Sequence, residues 1–216
     1  GFFYDLLRLP DGKAMRLKVR SLVGLLPLCA STVLEENSVT RYPKFMELIT
    51  QFRERHPELV SHVAPTDAGF IGFKNRRLLS ILSKQKLERV LGYLLDENEF
   101  LGPHGIRSLS RYHLEHPFVF HVGGQEYKVQ YLPAESNTGM FGGTSNWRGP
   151  VWMPVNALIV RALVNLYSFY GDEFKVQCPT GSGQYMTLFE VAEEIVHRLT
   201  GTFLRDRNGQ RPVYGG

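Results

Sequence analysis

The chain's 216 residues are 43% hydrophobic and 21% charged, the balance of an ordinary folded domain, which excludes a disordered or fibrous polypeptide. Its formal charge of +4 comes from 25 basic residues interspersed with 21 acidic ones. There is no basic block of the kind that marks a nucleic-acid binder, and no apolar run as long as a membrane span.

The opening GFFYDLLRLPDGKAMR lacks both a starting Met and the basic-then-apolar order of a signal peptide, so we expect a piece that begins mid-protein. From Leu17 the run LKVRSLVGLLPLCASTVLEE has helical apolar spacing, and KFMELITQFRERHPEL reads as an amphipathic helix ended by Pro57. A second helical pair follows, RRLLSILS leading into KQKLERVLGYLLDENEF, which puts Leu87, Val90, Leu91, Leu94 and Leu95 on one face. GPHGIRSLSRYHLEHP, punctuated by Gly and Pro, reads as a long structured loop. FVFHV, a Gly-Gly pair and EYKVQYL predict a β-hairpin.

After the glycine-rich GMFGG comes VWMPVNALIVRALVNLYSFYG, the most strongly helical segment, with a stripe of Val155, Leu158, Ala162, Leu166 and Phe169. Pro154 is tolerable there because the first amides of a helix have no partner to lose. A last helix begins at TLFEVAEEIVHRLTGTFL, where Thr187 and Glu190 form a capping-box signature. Cys29 and Cys178, two cysteines distant in sequence, fit buried thiols better than a disulfide framework or a metal site. The pattern predicts a helix-rich single domain over residues 1–216, its helices separated by long aromatic loops.

The stretch SNWRGPVWMPVN, from Ser145 to Asn156, carries the densest chemistry. If Pro150 begins a helix, Trp152 and Asn156 share a face and Arg148 stands just before it. An aromatic plate, an amide and a guanidinium are what a pyranose needs for stacking and bidentate hydrogen bonds, and Gly149 lets the backbone come close. The same residues also suit a core role, with Trp147 and Trp152 packed and Arg148 paired to a structural carboxylate. Asp5 in GFFYD and His104, Arg107, Ser108 and Ser110 in GPHGIRSLS are weaker candidates of similar character. Glu135, next to a flexible loop, is an acid–base candidate that equally suits a turn cap or an arginine pair. His113 and His116 lack the spacing of a zinc motif, and GMFGGTSN lacks the lysine of a P-loop.

Taken together, GFFYD, RLKVRSLVGLLPL, GIRSLSRYH, SNWRGPVWMPVN and FKVQCPTGSGQYMTLFEVAEEI resemble the C-terminal catalytic domain of glycoside hydrolase family 63, which includes the mannosyl-oligosaccharide glucosidases. The W-R-G-P-x-W-x-P-x-N string is the most specific element, and the likeness is loosest between about Leu34 and Arg77. The resemblance implies a mainly α fold: part of an (α/α)6 toroid with a small β-hairpin insertion, cut at both ends. It implies an inverting, exo-acting α-glucosidase acting on oligosaccharides, with no cofactor or metal.

Trp147, Arg148, Gly149, Trp152 and Asn156 would then line the subsite of the released sugar, with Asp5 and Arg107 on the same rim. The family's acid lies in a GLDN-like motif and its base in a YEYFHGD-like motif. Neither string occurs here, so both catalytic groups are expected in the remainder of the parent chain, and the piece alone is expected to be inactive. The competing reading is a non-catalytic carbohydrate-binding or helical interaction module. Nucleic-acid and membrane partners are not expected, and the absence of an Asn-x-Ser/Thr sequon leans toward an intracellular protein. Cut edges would expose apolar faces, so poor solubility or self-association is expected of the isolated piece.

Overall fold

Short hairpins alternate with helices along residues 2–60, 71–132 and 150–214, which are the residues described by a computed structural model of the chain. The first hairpin joins β1 (Asp5–Arg8) to β2 (Ala14–Leu17) around a Pro-Asp-Gly turn in which Gly12 takes φ 83°. That backbone region is free of steric cost only for glycine. A 3-10 helix, Leu22–Cys29, buries Leu22, Leu25 and Leu28 and leads into β3 (Ser31–Leu34). Helices α1 (Ser38–Arg41), α2 (Pro43–Arg55) and α3 (Pro57–Val60) follow. Strand β4 (Arg77–Ser80) then returns to pair antiparallel with β3.

The second half is built on three helices that face the core: α4 (Lys84–Leu94), α5 (Met153–Tyr170) and α6 (Leu188–Gly201). Between α4 and α5 lie two hairpins, β5 (Leu101–Gly102) with β6 (Gly105–Ile106), and β7 (Phe118–Val122) with β8 (Gln125–Val129). Between α5 and α6 lies a third, β9 (Lys175–Gln177) with β10 (Tyr185–Thr187). Helix α4 starts where Ser83 Oγ accepts the Lys86 amide, and α6 where Thr187 and Glu190 satisfy each other's amides in a capping box.

One core joins these pieces. Leu25 of the 3-10 helix, Leu91 and Leu94 of α4, Ile159 and Leu163 of α5 and Ile195 of α6 are each 0 or 1% exposed and belong to a single apolar cluster. Cys178 is buried in the same cluster, Cys29 packs half-buried against it, and both are free thiols.

The expected mainly α toroid is overturned. Among the described residues the structure is mixed, 45% helical and 22% strand, and the strands form five separate two-stranded antiparallel sheets. A double ring of paired helices needs helix to follow helix; here hairpins separate α4 from α5 and α5 from α6. Each strand has 2 to 5 residues, too few for a two-residue alternation to stand out from the surrounding helical spacing.

Two further expectations change for related reasons. The run from Leu17 is not one helix: Pro27 falls inside a 3-10 turn and β-branched Thr32 and Val33 extend into β3. RRLLSILS is mostly strand β4, because its Leu78 and Ser80 are buried facing the interior while Arg77 and Leu79 alternate with them. The β7–β8 hairpin forms as read, with Gly123 and Gly124 at φ 59° and 76°, the pairing that a type I′ turn requires. In α5 the buried stripe is Val155, Ile159, Ala162, Leu163, Leu166 and Phe169, whereas Leu158 is 50% exposed.

Candidate functional site

The segment from Asp96 to His113 is the place where three of the motif-bearing stretches meet. Its centre is the β5–β6 hairpin. Gly105 at φ 114° makes the turn, and a Cβ there would fall 2.5 Å from Leu199 Cδ2 and 3.1 Å from Asn156 Oδ1. The glycine is needed both for its backbone conformation and for the close approach of α5 and α6.

Asn156 is wholly buried, and its side-chain amide acts as a substitute peptide group. Its Oδ1 accepts the Ile106 amide at 2.7 Å, and its Nδ2 donates to the Ile106 carbonyl at 3.1 Å and to the Trp152 carbonyl at 3.0 Å. These bonds tie the outer strand of the hairpin to the first turn of α5. One residue on, Arg107 bridges to Val151 and the Ser108 amide donates to the Pro150 carbonyl at 2.8 Å.

The Arg107 guanidinium points back into its own loop. Its Nη1 donates to the carbonyls of Leu101 at 2.8 Å and Glu97 at 3.0 Å, so it holds the loop closed from within. Arg198 of α6 clamps the outside, donating to the Glu97 carboxylate and the Gly102 carbonyl, each at 3.1 Å. Trp152 sits half-buried at the N-cap position of α5, its ring packed against the core cluster.

Arg20 ties the N-terminal segment to the same loop. It forms an ion pair with buried Glu99, whose other oxygen accepts from Ser110 Oγ, and the Phe2 ring ahead of it stacks on Phe100 of the loop with ring centres 5.8 Å apart. Its guanidinium lies 3.8 Å from the Tyr112 ring centre and 5.4 Å from that of Tyr93, an arrangement in which the ring faces favour the cation. The backbone closes the link, since the Ser110 amide donates to the Arg20 carbonyl and the Leu22 amide to the Ser108 carbonyl, both at 2.9 Å.

His113 completes the network. Its Nε2 accepts the Arg20 amide at 2.9 Å, which makes Nδ1 the protonated nitrogen that donates to the His116 carbonyl at 2.8 Å. Burial, aided by the Arg20 charge, holds this imidazole below its ordinary pKa.

The sequence-derived candidates therefore fare differently. Asn156 and Arg107 come together through Ile106, but their polar groups bond the backbone and build the loop. Asp5 is an exposed residue of β1, three positions after the Phe2 that stacks on Phe100. Trp152 is half-buried against the core at the start of α5. Glu135, Trp147, Arg148 and Gly149 lie outside the described residues. Arg20, Glu99 and Tyr112 carry no sequence signal of their own, because they meet across distant parts of the chain, and the buried structural role of His113 differs from the metal role its spacing argued against. The one available signal was the spacing of buried-type polar residues in GIRSLSRYH. Among the described residues, no group of three His, Cys, Asp or Glu side chains is arranged to hold a metal ion, and no helix is long and apolar enough to cross a membrane.

No protein-family model matches the chain. Over all 216 residues it is 47% identical to "Uncharacterized protein YMR196W" of Saccharomyces cerevisiae, and it spans 20% of that protein's length.

Proposed function

We propose that the polypeptide containing this segment is an inverting, exo-acting glycoside hydrolase of the α-glucosidase type, acting on the O-glycosidic bonds of an oligosaccharide. The segment supplies one wall of the sugar pocket. The observation that carries this reading is the convergence of GFFYD, GIRSLSRYH and the start of α5 on one hydrogen-bonded loop, with Phe2, Tyr112 and Trp152 around it. It is supported by the likeness of the same three stretches to family 63 sequences.

In this reading the exposed part of Trp152 stacks on the terminal sugar, as indole faces do on pyranoses. Trp147 and Arg148 contribute the remaining contacts, while Asn156 and Arg107 keep the loop in register. The chemistry needs two carboxyl groups about 6.5–9.5 Å apart. One, as the acid, protonates the glycosidic oxygen as its bond to the anomeric carbon breaks. The other takes a proton from the water that attacks the opposite face of that carbon. Both belong to the remainder of the polypeptide, so this segment alone binds without turnover.

The test follows the anomer first released by the full polypeptide from an α-linked glucose disaccharide, by proton NMR. We expect the β-anomer, and Trp152→Ala to lower kcat/KM by about tenfold or more while the protein stays folded. Release of the α-anomer, or binding of sugar with no hydrolysis, would sink the proposal; the second result would identify a carbohydrate-binding module.

A further inference from the structure

A groove of about 670 Å³ opens between α2 and the β3–β4 hairpin, and none of its lining residues belongs to the 96–113 loop. One wall is α2, where Phe45, Leu48 and Phe52 stand 44%, 62% and 51% exposed on one face of a helix that has no buried residue. Ala30, Leu79 and Ile81 form the wall opposite. Large apolar side chains at i, i+3 and i+7 make the stripe by which one helix packs on another, and 13 residues give α2 a length of about 20 Å.

The groove is also polarised. Arg55 and His56 line the end where α2 finishes, and no Asp or Glu is among the described lining residues. His56 pairs with Glu58 at 3.4 Å, so the Arg55 guanidinium carries the charge that an occupant meets there. A helix lying antiparallel to α2 would bring its N-terminal turn to that end, where acidic residues are favoured by its own dipole.

We propose that this groove is an intramolecular seat for an amphipathic helix with an acidic first turn, supplied by the same polypeptide outside these 216 residues. Length is the argument for that source. The chain matches the yeast protein at 47% identity along its whole extent yet spans 20% of it, so in a polypeptide of that size most of the mass is available to cover the groove. The inference holds whether or not the protein hydrolyses sugars, and its failure leaves the sugar-pocket reading untouched.

The experiment replaces Leu48 with a photoreactive benzophenone amino acid in the full-length polypeptide, irradiates it, and maps the adduct by mass spectrometry. We expect a cross-link within one molecule, from position 48 to a helix outside the 216 residues that carries Asp or Glu in its first turn. Arg55→Glu should cut its yield about fivefold or more, as an opposed charge becomes a like charge. Leu48 is exposed, so the substitution should leave the circular dichroism spectrum unchanged, and a probe at Phe52 repeats the test if it does not. An adduct of twice the molecular mass, an adduct to a different protein, or cross-links confined to these 216 residues would each overturn the proposal.

Discussion

Removing the single side-chain amide of Asn156 would unpair both backbone groups of buried Ile106, because no water-facing route replaces those bonds. We expect Asn156→Ala to cost about 2–4 kcal/mol in denaturant unfolding, the range for two lost buried hydrogen bonds with their desolvation. Gly105→Ala should cost about 1–3 kcal/mol, since the new Cβ meets Leu199 while the backbone stays in a region alanine avoids. His113 supplies a pH dependence. Its folded pKa lies below the ordinary 6.5, so as pH falls the unfolded chain binds the proton first. The contribution is complete above pH 6.5 and declines below it, toward the folded value. Chemical denaturation across pH 5 to 8 should show that decline, and His113→Gln should remove it.

Helix α5 shows at the level of an element what the sequence could and could not say. Its existence, length and first-turn proline were legible, because an apolar period over 18 residues has no competing explanation. Which leucine faced inward was not, since the whole helix is rich in apolar residues and the stripe could be drawn one position out. Ile159→Ala should therefore cost about 2–5 kcal/mol, and Leu158→Ala about 0.5 kcal/mol or less, in the same unfolding assay. The α6 cap was legible for the opposite reason: Thr187 and Glu190 interact three residues apart, with no need of the rest of the fold. Arg20 and Glu99 were illegible because 79 residues separate them, and β3–β4 because its strands lie on either side of three helices. The sugar-pocket residues were chosen by chemical type, which does not reveal that Asn156 and Arg107 face backbone.

Across the whole molecule, apolar contact is uneven. Helices α4, α5 and α6 share one core, whereas α2 has no buried side chain. Hydrogen exchange on the isolated 216-residue chain should find the α2 amides exchanging by local opening, well before those of α5 and α6. Equal protection across all four helices would show that α2 is held by more than the contacts described. The toroid, which the family resemblance implied, was a wrong expectation: helix spacing reports which faces are apolar, but which helices stand side by side depends on the short hairpins between them.

Cys178 makes part of this measurable by a different clock. The thiol is inaccessible to water and burial pushes its pKa up to about 11, so roughly one molecule in several thousand holds it as thiolate near pH 7.5. It sits beside α4, where the Thr180 amide donates to the Leu95 carbonyl. An alkylating reagent should consequently modify Cys178 at the rate at which the junction of α4 with the β9–β10 hairpin comes apart. Half-buried Cys29, whose thiol burial also raises, would react sooner. The chain thus carries two natural timers of opening, set at different depths and needing no introduced label.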